Sequence, residues 1–210
     1  EDGRHDLALQ VSRIAGGHVL DGVFKGMILK PEIFPQHMSP KVLGTYEDEL
    51  HAFLTELSSS RIAVLANVGS AEGYYAVGAA RLWPDARVTS FDLDPVACKA
   101  TGMHAKINGV ADRVRVCGRA DRKRLSELLQ YAAAPLCIID CEGCELELVD
   151  PLGVPQLRAA YLLVELHPHI VPDIEQILLE RLGDTHEIQI VRPVTKKPEL
   201  YRERGWFSDF

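Results

Sequence analysis

Long apolar runs are missing from this 210-residue chain, so no stretch approaches the roughly 18 residues of a membrane-spanning helix. No secretory leader pattern is present either. The chain opens at Glu1 rather than at a Met, which leaves open that it is part of a longer protein. An excess of positive charge is also missing. Lys and Arg total 23 against 30 Asp and Glu, for a formal charge of −7, which argues against a broad polyanion-binding surface and against nucleic acid as a partner. One basic cluster, Arg119, Arg122, Lys123 and Arg124, reads as a solvated helix face. The five cysteines are odd in number and scattered, which does not suit a disulfide framework and makes a reducing cytoplasm the expected setting. Repeats and low-complexity tracts are absent, and the length suits one α/β domain.

What is there begins at Asn67-Val68-Gly69-Ser70-Ala71-Glu72-Gly73-Tyr74-Tyr75. The apolar run Ile62–Ala66 before it reads as a buried parallel strand. The segment Tyr74–Trp83 after it reads as a helix, stopped by Pro84. A strand turning through glycines into a helix offers backbone N–H groups and a positive dipole end to a ligand. The spacing here is G-x-x-x-G, without the third glycine of the dinucleotide pattern and with Glu72 where a diphosphate would be repelled. That argues against NAD or FAD and for a cofactor without phosphates; S-adenosylmethionine fits. The residues expected to touch it in this loop are Asn67, Gly69, Ser70, Ala71, Glu72, Gly73 and Tyr74. Gly69 and Gly73 also suit a tight turn with no ligand.

Further strands follow in order, each delivering polar residues at its C-terminal end, where open α/β sheets bind ligands. Arg87–Phe91 ends in Asp92-Leu93-Asp94-Pro95, with Asp92 near the roughly 20-residue spacing of an acid that accepts hydrogen bonds from an adenosine ribose. Asp94 is the better N-cap of the helix that follows. Val114–Cys117 ends in Gly118-Arg119-Ala120-Asp121. Leu136–Ile139 ends in Asp140-Cys141-Glu142-Gly143, and Tyr161–Leu166 ends in His167-Pro168-His169. Before the first strand, residues 1–60 read as an N-terminal helical cap and 61–210 as the core. In the cap, residues 22–29 suggest a hairpin and residues 31–40 a loop. Thr45 and Asp48 have capping-box spacing, and Leu50, Phe53, Leu54 and Leu57 share one helix face. Gly44, Thr45, Tyr46 and Glu47 are expected to reach the methionine end of the cofactor from the cap, though capping alone explains Thr45 equally well. Helices are also expected around Leu125–Leu129 and Ile174–Leu182, and residues 187–191 read as a sixth strand. The tail from Pro193 would hold a last strand or a lid.

These pieces resemble the class I S-adenosylmethionine-dependent methyltransferases, and within them the FkbM-like group, over about residues 42–191. The resemblance rests on the loop 67–73, on Phe91-Asp92-Leu93-Asp94-Pro95, on Asn108, on Asp140-Cys141-Glu142-Gly143-Cys144-Glu145, and on Val164-Glu165-Leu166-His167. Asn67 stands where an acid or glycine is common, and Asp92 where Glu is usual. The resemblance implies a Rossmann-like, seven-stranded, mostly parallel sheet with helices on both faces and an antiparallel final strand. It also implies backbone contacts from Gly118, Arg119 and Ala120 to the adenine of the cofactor, and methyl transfer to a small-molecule or glycan-like acceptor.

Strands four and five would bring Asp140 and His167 to the reacting methyl, with Glu142 and Glu165 beside them and Asp140 also near the cofactor. The acceptor's proton needs a base, and a His near neutrality is suited to take it. Asp140, Glu165 and His167 are alternatively a divalent-metal set. Glu142 or Glu145 could instead cap the next helix, and His167 could pack on Pro168. N-methylation of an amine, peptide or nucleic acid is the rival activity within the class. From other classes stand a non-catalytic cofactor-binding protein and a thiol oxidoreductase using Cys141 and Cys144. Homo-oligomerisation stays open.

Overall fold

The computed structural model describes residues 9–35 and 37–193. Five strands form one sheet: β1 (Val64–Val68), β2 (Arg87–Phe91), β3 (Val114–Cys117), β4 (Leu136–Ile139) and β5 (Tyr161–Val164). Their order is β3-β2-β1-β4-β5, and every neighbouring pair is parallel. Parallel neighbours need crossovers, which the helices supply. These are α4 (Tyr74–Leu82), α5 (Pro95–Ile107), α6 (Arg122–Leu129) and α7 (Glu145–Leu148), the last with a 3₁₀ turn at Pro155–Ala159, while α8 (Ile174–Leu182) follows β5. Ahead of the sheet lie a helix of which residues 9–14 are described (α1), α2 (Met38–Leu43), a 3₁₀ turn at Asp48–Leu50, and α3 (His51–Leu57).

Both sheet faces are covered, and strand alternation decides which residue faces which layer. Leu65, Leu136 and Ile138 join the core that holds the N-terminal segment, α4 and α5, whereas Ala66, Cys137 and Ile139 join the one that holds α6, α7 and α8. This is a Rossmann-like α/β fold. The N-terminal segment shares the first core: Phe24, Met27, Leu29, Met38 and Leu54 are all 3% exposed or less. Glycine in the middle of α4 makes room for it, because a Cβ at Gly78 would lie 2.6 Å from the Phe24 ring. Asn108 clamps the same segment by accepting from Ile28 N and donating to Ile28 O, both at 2.8 Å.

Several expectations change. Among the described residues the sheet has five strands, not seven. Residues 187–191 carry strand-forming side chains but pair with nothing in a ladder, and Ile188, Ile190 and Val191 are 38–45% exposed. Strand propensity measures fit to a half-buried pleated surface, and that surface is lacking here. The antiparallel final strand falls on residues 194–210, outside the described ones. Thr45 is not a helix cap: its hydroxyl donates to Pro40 O at 3.4 Å, and the turn starts from Glu47 at φ 46° without a side-chain cap. The expected loop at 31–40 already turns into α2 at Met38. The expected hairpin at 22–29 is instead a turn closed by one isolated antiparallel bridge between His18 and Ile28, so its first arm lies before residue 22; Asp94 caps α5 through Val96 N at 2.8 Å.

Candidate active site

Strand order reverses direction between β1 and β4, and the crevice at such a switch point is where open α/β sheets take ligands. The glycine turn and Asp140 meet there. Asp140 N donates to Val68 O, and a Cβ on Gly69 would fall 1.5 Å from Asp140 O, so only glycine lets the two loops approach. The turn runs through three left-handed residues, Gly69 (φ 75°), Ala71 (φ 45°) and Gly73 (φ 90°). Ala71 tolerates its conformation because Asp92 Oδ2 accepts from its N–H at 2.7 Å and Thr101 Oγ1 donates to its carbonyl. Asp92 Oδ1 accepts from Asp94 N at 2.9 Å. A carboxylate has about four acceptor sites, so this half-buried side chain keeps capacity for further donors. Leu93 beside it is 76% exposed, an apolar surface next to an acceptor.

Other residues of the loop have structural partners. Ser70 Oγ accepts from Ser90 Oγ at 2.7 Å. Glu72 is fully buried, with Oε1 2.7 Å from Lys41 Nζ and its carbonyl accepting from His104 Nδ1. Its chemistry therefore clamps α2 to the glycine turn. Tyr74 is buried, edge-on to Phe24, Tyr46 and Tyr75. Asn67 is 1% exposed with its side-chain oxygen unpartnered. Gly118 and Arg119 are exposed at the end of β3, where a Cβ on Gly118 would meet open space, and Ala120 is half-buried. Arg119, Arg122, Lys123 and Arg124 each lie within 4.0 Å of an acid (Glu147, Asp150, Glu127 and Asp121), which neutralises the basic cluster.

Asp140, Glu165 and His167 do converge, one ligand-type atom of each within 4.8 Å of the others. His167 Nδ1 lies 2.7 Å from Glu145 Oε1, and Nε2 faces Asp140 Oδ1 at 3.6 Å and Glu142 Oε2 at 3.5 Å. Burial alone would lower the His167 pKa. The Glu145 hydrogen bond and the charges of Glu142, Glu145 and Asp140 outweigh it and hold the pKa above its usual value. Burial, then the charge of Glu165, pushes Asp140 up to about 7, and burial with Glu47 raises Glu165. Near neutrality Asp140 is therefore divided between its protonated and ionised forms.

Glu47 comes to this cluster from the N-terminal segment. Its carboxylate accepts a short hydrogen bond from Tyr75 Oη and another from Tyr46. Burial and Glu47 keep both phenols protonated well above their usual range. Tyr46 was expected near the cofactor's methionine end together with Glu47, whereas Tyr75 and Glu145 were not among the expected site residues. Tyr75 lies 28 positions from Glu47 and Glu145 lies 22 from His167, and no local spacing marks either pair. Cys141 and Cys144 are joined in a disulfide that braces the loop between Asp140 and Glu145, so the expectation of unpaired cysteines holds only for Cys98, Cys117 and Cys137.

No family model and no curated protein matches the chain. Solved structures of similar shape include the O-methyltransferase TomG from Streptomyces achromogenes in complex with SAM (15% identity over 89% of this chain and 77% of that one, TM-score 0.46). Another is a precorrin-6y C5,15-methyltransferase from Geobacter metallireducens (16% identity, 66% and 70% covered, TM-score 0.49). A third is an O-methyltransferase from Bacillus cereus in complex with SAH (18% identity, 69% and 57% covered, TM-score 0.37). The chain spans 56% and 51% of the first two structures it matches, about half their length. The class defined by the chain's own strand order is an open parallel α/β domain with its site at the switch point. No helix among the described residues is long and apolar enough to cross a membrane.

Proposed function

We propose that the chain is an S-adenosylmethionine-dependent methyltransferase that methylates oxygen on a small-molecule or glycan-like acceptor, with the FkbM-like group as the nearest pattern. The observation that carries this reading is the meeting of the Gly69–Gly73 turn with Asp140 at the β1/β4 switch point, Asp92 bracing the same turn. The TomG and Bacillus cereus structures hold SAM and SAH. When bound, S-adenosylmethionine supplies an electrophilic methyl on a positively charged sulfur.

The residues present suit that group. Asp92 has acceptor capacity left for ribose hydroxyls, Leu93 offers an apolar face to the adenine, and Gly118 leaves the neighbouring surface open. Glu47, held by two phenols, sets a fixed negative charge near the methionine end. Asp140 and His167 orient the acceptor hydroxyl and receive its proton; Glu145 steadies the imidazole and Glu165 steadies Asp140. Glu142, mostly exposed, borders the entrance. A general base of this kind contributes roughly 10²–10⁴ in rate.

Amine methylation is the second reading, favoured by one observation: the charge of Glu47 raises the pKa of both Asp140 and Glu165, so three acids crowd one place, which suits a cationic acceptor. The test is formation of S-adenosylhomocysteine from S-adenosylmethionine with phenol, catechol, sugar and amine panels. Turnover with a hydroxyl acceptor that drops roughly 10²–10⁴ in His167→Ala is expected. Turnover with amines alone would transfer the proposal to nitrogen, and binding without turnover on any acceptor would leave a non-catalytic cofactor-binding protein.

A further inference from the structure

We propose that the Cys141–Cys144 disulfide is a reversible switch on the acceptor side of the site, opened by a dithiol reductant and closed by a peroxide. The bond closes a four-residue ring, Cys141-Glu142-Gly143-Cys144, whose end Cα atoms are 5.5 Å apart. Asp140 stands immediately before the ring, Glu142 within it and Glu145 immediately after it. All three face one imidazole. His167 Nε2 lies 3.6 Å from Asp140 Oδ1 and 3.5 Å from Glu142 Oε2, and Nδ1 lies 2.7 Å from Glu145 Oε1. The ring therefore fixes the spacing of three acids around His167.

The ring backbone depends on that closure. Glu142 sits at φ 53° and Gly143 at φ 110°. A residue other than glycine keeps a left-handed conformation only where its surroundings impose it. Here the crosslink imposes it from one side, and the 3.2 Å hydrogen bond from Gly143 N to Glu145 Oε1 from the other. The turn after β5 packs on the same ring: a Cβ on Gly143 would lie 2.9 Å from Ile170 Cγ2, and Ile170 N donates to His167 O. Opening the bond releases Glu142 from the left-handed region and loosens Gly143 from Glu145. Both the acids and the imidazole then lose their register.

Two observations favour a switch over a staple. Disulfide stabilisation grows with the length of chain enclosed, and only Glu142 and Gly143 lie inside this ring, so the bond does little for the fold as a whole. Both cysteines are half-buried at the end of β4, whereas Cys137 within the strand is fully buried. Sulfur that solvent reaches is open to thiolate attack. In the opening step a donor thiolate attacks one sulfur, the Sγ–Sγ bond breaks and a mixed disulfide forms. The donor's second thiol then displaces the attached cysteine. The donor leaves as a disulfide, and its two electrons and two protons remain on Cys141 and Cys144 as thiols. Hydrogen peroxide reverses the step by taking the two electrons and two protons and leaving as two waters. The effect on turnover rests on the methyl-transfer reading; the change in the ring does not.

The experiment treats the full chain with dithiothreitol and then with stoichiometric hydrogen peroxide. Alkylation with mass spectrometry counts the thiols, while amide hydrogen exchange, S-adenosylhomocysteine binding and methyl transfer are followed on the same samples. Dithiothreitol should add Cys141 and Cys144 to the free thiols Cys98, Cys117 and Cys137, and peroxide should remove them again. Exchange should quicken at Gly143, Leu148 and Ile170 in the reduced chain and stay unchanged at Gly69 and Gly73. Methyl transfer to the acceptor selected from the phenol, catechol, sugar and amine panel should fall roughly 10–100-fold on reduction and return on reoxidation, with S-adenosylhomocysteine affinity unchanged. Cys141→Ser should match the reduced chain and ignore dithiothreitol, whereas Cys98→Ser should keep the full response. The reduced parent carries no substitution, so misfolding of Cys141→Ser leaves the test intact. A bond that dithiothreitol cannot open in the folded chain, or exchange that does not respond to its opening, overturns the proposal. Equal turnover in the two states removes the switch and keeps the methyl-transfer reading. Altered exchange with no turnover in either state keeps the redox response of the ring and removes that reading.

Discussion

Replacing Lys41 by Met should destabilise the chain by about 3–5 kcal/mol, the usual result of stripping one partner from a buried ion pair. Lys41 Nζ sits 2.7 Å from Glu72 Oε1, with side-chain exposures of 7% and 0%. The other oxygen, Glu72 Oε2, has no hydrogen-bond partner, so the ammonium is the side chain's main compensation. The ammonium also lies 4.6 Å from the Tyr46 ring centroid, a cation–π contact that Met forfeits. Met retains most of the apolar stem, so the loss reports charge rather than a cavity. For a chain of this size a stability change of 1 kcal/mol moves Tm by about 2–4 °C, which makes the expected drop roughly 6–20 °C. The assay is urea unfolding followed by circular dichroism on Lys41→Met, Glu72→Met and the double variant. Removing both charges leaves no orphaned ion, so the double variant should recover to within about 1 kcal/mol of the parent. The same single variants should weaken cofactor binding, because this pair fixes α2 against the Gly69–Gly73 turn. Additive losses, with coupling under about 0.5 kcal/mol, would refute the clamp.

Three further outcomes follow from single contacts. Gly69→Ala should abolish cofactor binding and much of the stability, because its Cβ would collide with Asp140 O at 1.5 Å and φ is 75°; a calorimetric titration and a melting curve check both. His104 accepts from Lys30 N on Nε2 and donates to Glu72 O from Nδ1, and burial lowers its pKa below 6.5. Its stabilisation should be complete above pH 6.5 and lost as pH falls through the lower folded value. Between pH 7 and 5, Tm should therefore fall more steeply in the parent than in His104→Gln. A chain beginning near Ser58 should not fold on its own. Losing Phe24, Met27, Leu29, Met38 and Leu54 costs about 1.5–3 kcal/mol each, comparable to the 5–15 kcal/mol that holds a typical domain together; a cooperative melt of the truncated chain would contradict this.

Much of the α/β core was legible because its signals are local. Ile62–Ala66, Leu136–Ile139 and Tyr161–Leu166 are short apolar runs that suit strands, each followed by polar residues at the correct sheet end, although Leu136–Ile139 is buried throughout and Tyr161–Val164 only partly covered. The glycine turn and the Asp94 cap follow from backbone geometry that a few neighbouring residues dictate. Residues 187–191 show the limit of this reasoning: a β-branched run says that a strand is feasible, while pairing is decided by a neighbour that sequence does not name. Thr45 shows it again, with capping-box spacing that the left-handed Glu47 overrides. The site was half legible. Asp140, Glu165 and His167 could be placed from strand ends, but Glu145 behind His167 and the two phenols on Glu47 depend on long-range packing. Asn108 was singled out by resemblance, and its bond to Ile28, 80 positions away, gives it a physical role in holding the N-terminal segment.

Ligand choice at the glycine turn tests the account most directly. Calorimetry should show S-adenosylhomocysteine binding to the full chain and no binding of NAD⁺, since the turn lacks the pyrophosphate glycine pattern. Asp92→Ala should lose charge-assisted hydrogen bonds worth about 1.5–3 kcal/mol, a weakening of roughly 10–150-fold. A melting curve on the same variant separates this from loss of the Ala71 anchor. Tight NAD⁺ binding, or unchanged S-adenosylhomocysteine affinity in a folded Asp92→Ala, would contradict the assignment.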